Sequence, residues 1–562
     1  MSTTGEQPMK KLSVLAASLL IVACSPASEP ETTTSPQVDV DPYSFNENYR
    51  DYLATLSSDE FEGRAPASKG EQLTVEFVEE KFRSWGLEPF NQEQNNYQQQ
   101  VPLVKMTPYS VSAMSFSNSD LGEFAYKQDM MAWSPRVQES VELDASEMVF
   151  AGYGIVAPEY GWNDYEGLDV EGKTVVVLVN DPGYDSGDPE VFNGKAMTYY
   201  GRWTYKFEEA SRQGAAGIIV IHETGPAGYG WGVIAGGSPV RFDLARENKN
   251  MDRTEIEGWI TTEAADRLFA RVGSSYAEMR ERAQQPDFAP VALDTAMSVS
   301  VQTDFEYLNS PNLIGYIEGK TKPEEHVIYM AHWDHLGVNP IASDDQIYNG
   351  AQDNASGTAG VMAIAEFFAS QPQPERSVVF VLVTAEERGL LGSQWYANNP
   401  MLPLGKAVAG VNMDVLNVYG PMRDMVVVGH GNSELEEYLG KYVEQQDRYV
   451  APEPTPEAGS FYRSDHFNLA KKGVPMLYAK GGNDHVEHGE AYGKEKRAEY
   501  VQVAYHKPAD EYDPEWDLRG VQQDLWLYYW IGNELANSDA WPNWYAGNEF
   551  RAIRDETASE RQ

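Results

Sequence analysis

The pattern of apolar and polar positions changes texture three times along the chain. Between residues 43 and about 140, Tyr49, Tyr52, Leu53 and Leu56 recur at helical spacing. A second helical pattern runs from Glu71 to Trp85, stopped by Gly86 with Pro89 beyond it. The loop between them, SSDEFEGRAPASKG, is polar and rich in turn residues, and residues 97–140 read as strand-like and irregular. From about 145 to 295, the short β-rich runs EMVFAGYGIV, KTVVVLVND and GAAGIIVIH surround one amphipathic helix, TYKFEEASRQG, ending at Gly214. From about 300 onward, the strands NLIGYIEG, HVIYMAH, SVVFVLVTAEE, AVAGVNMDV and VPMLYAKGG alternate with helical patterns. These include SGTAGVMAIAEFFAS, with Ser356 as its N-cap, and a closing GVQQDLWLYYWIGNELAN. Strands apolar at every position are buried on both faces. The alternation therefore predicts an α/β fold, a three-layer sandwich around a mixed, mostly parallel central sheet. Trp526, Tyr528, Tyr529 and Trp530 fall at helical spacing and read as core.

These textures set the expected organisation: 43–144 as the first part of a catalytic domain, 145–297 as a β-rich insert, 298–545 as the main catalytic part, and 546–562 as a loosely ordered tail. The chain start differs in kind. Met9-Lys10-Lys11 precedes the apolar run Leu12 to Val22, which is shorter than the roughly 20 residues a membrane span needs and reads as a secretory signal. The run ends Ile21-Val22-Ala23-Cys24, which resembles the lipobox of bacterial lipoproteins. That resemblance makes 1–24 a signal peptide, Cys24 the lipidated residue, and 25–42 (SPASEPETTTSPQVDVDP) a flexible tether. Ser25 after the cysteine fits outer-membrane sorting, on the periplasmic side or at the cell surface, with the lipid as the sole membrane contact.

Composition narrows the chemistry. The 562 residues carry 43 Lys plus Arg against 86 Asp plus Glu, a formal charge of −43, which argues against nucleic acid as a partner. A single cysteine excludes a disulfide framework and a thiolate-rich zinc site. The unusual polar residues sit at strand ends: VIYMA runs into His332, VVFVLVTA into Glu386 and Glu387, and AVAGVNM into Asp414. In an open α/β sheet, ligands bind beyond the carboxyl ends of the strands, so three strands deliver these groups to one rim. Asp353, in NGAQDNASG before a helix, joins that rim. Imidazole with carboxylates and no thiolate suits zinc, with cobalt or manganese as substitutes. Adjacent Glu386 and Glu387 point to different sides, so one can bind metal while the other faces water. Asp334, two residues from His332, can accept the second imidazole N–H and fix the tautomer.

Other polar residues carry blander readings. His335 reads as a packing or hydrogen-bonding residue and His222 as an isolated strand-end residue. His485, Glu487 and His488 in HVEHGE lack the spacing of a helical zinc motif. Ser464-Asp465-His466 looks like a serine triad, but such triads are assembled from distant positions, and no G-x-S-x-G elbow accompanies it.

HWD, NGAQDNASG, TAEERGLLGS, VNMDV, FYRSDHFNLAKKGVP and YHKPADEYDP occur in the order found in the di-zinc exopeptidases. The chain resembles that family, which includes bacterial leucyl aminopeptidases, glutamate carboxypeptidase II and glutaminyl cyclases. The resemblance implies two zinc ions, one held by His332 and Asp414, the other by Glu387 and His506, with Asp353 bridging. It implies Glu386 as general base, Asp334 as the histidine's orienter, and a substrate pocket lined by Tyr462, Arg463, Asp465 and His466. Arg388 stands where relatives often carry a smaller polar residue. The runs AGYGI, GKTVVVLVND and KFEEASRQGAAGIIVIH resemble a protease-associated domain. The expected function is that of a lipid-anchored zinc aminopeptidase acting on peptides, with an acidic rim holding the substrate ammonium group. A glutaminyl cyclase, a carboxypeptidase and a non-catalytic receptor ectodomain share the fold as alternatives.

Overall fold

The computed structural model describes residues 41–561. The expected signal peptide with Cys24, and nearly all of the tether, lie outside the described residues. Both helices read near the chain start form, as α1 (Tyr49–Leu56) and α2 (Lys69–Trp85). Tyr49, Tyr52, Leu53 and Leu56 are all buried, which is what their spacing requires of one helix face. Ser68 caps α2 by accepting a hydrogen bond from Glu71 N at 3.3 Å. Gly86 ends the helix at φ 74°, a left-handed conformation that glycine adopts without a Cβ penalty. Strand β1 (Gln98–Val111) follows.

The next region builds a parallel set: β2 (Ser140–Phe150), β3 (Thr174–Leu178), β4 (Gly217–His222) and β5 (Ile256–Thr261), in that spatial order. The amphipathic helix forms between β3 and β4 as α3 (Trp203–Arg212). Strand β6 (Val291–Ile317) then runs for 27 residues. Its first part pairs antiparallel with β2, and its later part lies along β1. The expected insert limits at 145 and 297 therefore fall inside β2 and β6, where pairs such as Met297 with Ser146 carry the ladder straight across. The insert is not set off by a break in the backbone.

The remaining elements are β7 (Lys322–His332), α4 (Ser356–Ala369), β8 (Arg376–Val383), β9 (Ala407–Asn412), β10 (Met476–Gly481) and α5 (Arg519–Ala536). Leu313–Ile317 of β6 pair antiparallel with β8, so one continuous sheet joins both regions. β8, β7, β9 and β10 are mutually parallel neighbours in that order. Two short strands, Asp424–Val427 and Tyr449–Pro452, finish this edge.

Alternate residues of β7 face opposite layers. Tyr329 donates its hydroxyl to Tyr528 O of α5 at 2.8 Å and packs against Phe368 of α4. Ile328 and Met330 instead cluster with Tyr396 and Leu469 on the other side. Helices thus cover both faces of a mixed, mostly parallel sheet, a three-layer α/β sandwich. Among the described residues no helix is long and apolar enough to cross a membrane. The tail is not loose: Trp544 and Phe550 are buried, Trp544 Nε1 donates to Gly473 O, and Arg554 donates to Ala407 O and Val408 O. Phe550 and the buried Arg554 guanidinium, with Trp544 just ahead of the tail, hold it against the sheet.

Candidate metal centre

Parallel register sets the rim. His332 lies opposite Val383 of β8, and Met330 lies opposite Asn412 of β9. Glu386 and Glu387 therefore leave β8 just beyond His332, and Asp414 comes abreast of it. The loop before α4 brings in Asp353. It is fixed from below by Asp510, whose carboxylate accepts from Gln352 N (2.9 Å) and Asp353 N (3.0 Å). Asn354 Oδ1 accepts from Gly357 N at 2.9 Å while its Nδ2 donates to Met413 O, tying α4 to the end of β9. Asn354 thus does the capping expected of Ser356, which lies inside the helix and donates to Gln352 O. Gly357 is required here, because a Cβ would sit 2.2 Å from Met413 O. Arg64, fully buried, donates to Trp333 O, Asn349 O and Gly350 O and so clamps both rim loops.

Six side chains expected from the sequence converge there. His332 Nε2 lies 3.4 Å from Asp353 Oδ1, 3.6 Å from Asp414 Oδ1 and 4.0 Å from Glu386 Oε2. His506 Nε2 lies 3.1 Å from Asp353 Oδ2 and 3.3 Å from Glu387 Oε2. Asp353 therefore turns one carboxylate oxygen toward each half of the cluster. His335 enters the second half, its Nδ1 2.6 Å from Glu387 Oε1. Two donor groups result, His332 with Glu386 and Asp414, and His335 with Asp353 and Glu387. Tyr505 stacks on His506 with ring centroids 3.9 Å apart.

The electrostatics follow from burial and crowding. Burial pulls His332 down, but Glu386, Asp353 and Asp414 outweigh it and hold its pKa well above the ordinary value. Burial pushes Glu386 well above the usual carboxylate range; His332 opposes this and Glu387 adds to it. Burial also raises Asp334, to about 6. Apart from the 2.6 Å contact between Glu387 Oε1 and His335 Nδ1, this group is under-partnered: His335 Nε2 and Asp334 Oδ2 are buried without a hydrogen-bond partner among the described residues. Buried polar atoms are ordinarily paired, so orphaned nitrogen and oxygen donors packed this closely fit a divalent-cation site.

Some expectations need correction. Asp334 does not orient His332 through its carboxylate, which is 3.8 Å from Nδ1. The Asp334 backbone carbonyl, 3.1 Å from Nδ1, takes that place, while the carboxylate accepts from Glu386 N. His335, read as a packing or hydrogen-bonding residue, stands among the candidate donors. A cavity of about 1150 Å³ opens over the cluster and is lined by Tyr462 and Arg463 but not by Asp465 or His466, which are fully buried behind it. Beyond the cluster's own carboxylates the cavity lining is mainly basic, with Arg202, Arg388, Arg463, Lys480 and Arg497 among it, rather than the expected acidic rim. His485 accepts from Glu487 N and His488 N, and His222 Nε2 lies 3.0 Å from Tyr229 O, both in local hydrogen bonds away from the cluster. Asp510 lies within the motif YHKPADEYDP and Arg64 within the loop SSDEFEGRAPASKG, but neither is singled out there as a site residue.

Residues 312–530 match the family model described as Peptidase family M28. Aminopeptidase NAALADL1 of Rattus norvegicus is 31% identical over 125 residues, covering 21% of this chain and 15% of that protein. Aminopeptidase YwaD of Bacillus subtilis (strain 168) is 26% identical over 216 residues, covering 37% of this chain and 40% of that protein. The match thus spans less than half the length of either relative. Among solved structures, the aminopeptidase from Aneurinibacillus sp. strain AM-1 aligns at 18% identity and a TM-score of 0.47 over 87% of this chain and 94% of that one. The chain carries a peptidase family M28 domain.

Proposed function

We propose that this protein is a zinc-dependent peptidase that removes residues from the free N-terminus of peptides. The observation that carries the reading is Asp353, with one carboxylate oxygen 3.4 Å from His332 and the other 3.1 Å from His506. In this reading His332 and Asp414 would hold one zinc ion, Glu387 and His506 the other with His335 beside them, and Asp353 would serve both. When bound, the metal supplies Lewis acidity, lowering the pKa of water toward neutrality and polarising a carbonyl. The chain's own groups do the rest. His332 donates Nδ1–H to the Asp334 carbonyl and keeps its Nε2 lone pair facing the cluster. Glu386, raised by burial, takes a proton from the attacking water at its carboxylate and returns it to the departing amine nitrogen. The aminopeptidase names of the matched relatives and the M28 domain support this reading. A single-zinc acyl transferase is disfavoured because both halves of the cluster keep their donors.

The test is a panel of aminoacyl-nitroanilides and C-terminally blocked peptides assayed with and without a chelator. Hydrolysis should vanish with the chelator and return with zinc. Glu386→Gln should lower turnover about 100- to 10,000-fold, with zinc content unchanged by mass spectrometry. Undiminished turnover in that variant refutes the assignment. Secretion and lipid anchoring belong to the same reading, supported by the run ending at Cys24. Radiolabelled palmitate should enter the wild type and not Cys24→Ala; labelling that persists in the variant ends that part.

A further inference from the structure

The cavity reverses the charge of the protein around it. Acidic residues outnumber basic ones 86 to 43 in the whole chain. Outside the metal cluster, however, the cavity lining holds eleven Lys and Arg against five Asp and Glu. Three of those cations are neutralised locally: Arg212 by Glu208 and Glu209, Arg253 by Asp243, and Lys471 by Glu208. Those nearest the cluster are not.

Arg202, just ahead of α3, and Arg463, from the loop ahead of Ser464, reach the cavity from the two halves of the sheet. Neither guanidinium has an ion-pair or hydrogen-bond partner among the described residues, and Arg202 Nε is buried without one. Burial first, and the nearby charge of Arg463 second, pull the Arg202 pKa down to about 10. Two like-charged guanidinium groups lining one cavity repel, and a buried donor left unpaired is costly. On the side of Asp414, Lys480 Nζ donates to Asp414 O at 3.0 Å and to Tyr478 Oη at 3.2 Å. Arg497 stands near it and also lacks a partner among the described residues. A guanidinium fork matches a carboxylate in both charge and shape, and a cleft lined by one sign of charge concentrates the opposite sign.

We propose that this cleft selects short peptides by their carboxylates, held between Arg202 and Arg463, with Lys480 and Arg497 as a second cationic wall. The carboxylate is an acidic side chain beside the scissile bond or the free C-terminus of the peptide. The inference rests on the peptidase reading for the fate of the bound peptide but not for its binding.

The experiment measures calorimetric affinity on the zinc-loaded Glu386→Gln protein, which separates binding from turnover. Matched tripeptides differ only in Glu against Gln, or Asp against Asn, with blocked C-termini; a second series differs only in free acid against amide. At least one series should show the carboxylate form binding about 10- to 100-fold tighter, with a gap that shrinks as salt rises. The series that shows the gap identifies the source of the carboxylate. Adding Arg463→Gln, at an exposed position, and separately Arg202→Met, should bring the ratio toward one. Equal affinities in both series overturn the proposal, as does a preference that survives both substitutions. If carboxylate preference is found but the unsubstituted protein cleaves none of these peptides, the peptidase reading fails and the binding inference stands.

Discussion

Lys206 and Glu387 are both charged and both buried, yet their surroundings differ in one respect. In the region built on β3 and β4, Lys206 Nζ donates to Asn180 O at 2.9 Å and lies near Asp164 and Asp181. Asp164 accepts from Tyr153 N, Ile155 N and Trp162 Nε1. Asp181 accepts from Gly183 N, Thr198 N and Thr198 Oγ1. None of these side-chain atoms is orphaned. At the rim of β7 and β8, by contrast, Glu387 Oε1 and His335 Nδ1 meet each other at 2.6 Å, while His335 Nε2 and Asp334 Oδ2 are buried without a hydrogen-bond partner among the described residues. A fully satisfied buried network fixes the fold around it, whereas an unsatisfied one stores the capacity to receive something. Buried carboxylates thus sit in a fully hydrogen-bonded network around Lys206 of α3 in one half, and in an incompletely paired cluster at the strand ends in the other.

Two substitutions press on that difference. Lys206→Met should cost the most stability, about 3–5 kcal/mol, because it leaves two buried carboxylates without their counter-charge. Urea denaturation measures the loss, and zinc content should not change. Metal loss with unaltered stability would mean that the two clusters are not distinct in kind. His335→Gln should have the smaller thermodynamic effect, lowering zinc affinity about 10- to 100-fold in a chelator competition while leaving the urea midpoint nearly in place. A shifted midpoint with unchanged affinity would move His335 into the company of Lys206.

Much of the rim was legible because strand ends are legible. Three apolar runs each terminate in His332, Glu386 or Asp414, and parallel pairing brings runs of this kind level with one another. What escaped the sequence depends on contacts between distant segments. Arg64 clamps carbonyls at Trp333 and Gly350, and nothing in a polar loop announces such reach. The service Asp334 renders through its backbone carbonyl rather than its carboxylate depends on a local loop geometry that residue type does not encode. The cationic lining draws on residues scattered from 202 to 497, each unremarkable where it stands in the chain. The tail reads as loosely ordered, but Phe550, with Trp544 just ahead of it, packs beside Phe461. The place of His335 beside the cluster is not legible either, because its neighbour across space, Glu387, is far from it in the chain.

The 27-residue strand β6 bears on how this molecule can be cut. Its early residues are laddered to β2 and its late ones to β8, so a version trimmed at 145 and 297 would lose the partner of one half and keep the other. The stump would present a row of bare amide and carbonyl groups, the kind of adhesive margin along which chains aggregate. A shortened protein intended for crystallisation or engineering should therefore carry residues 140–317 intact, since the β-rich region is stitched into the sheet rather than hung from it.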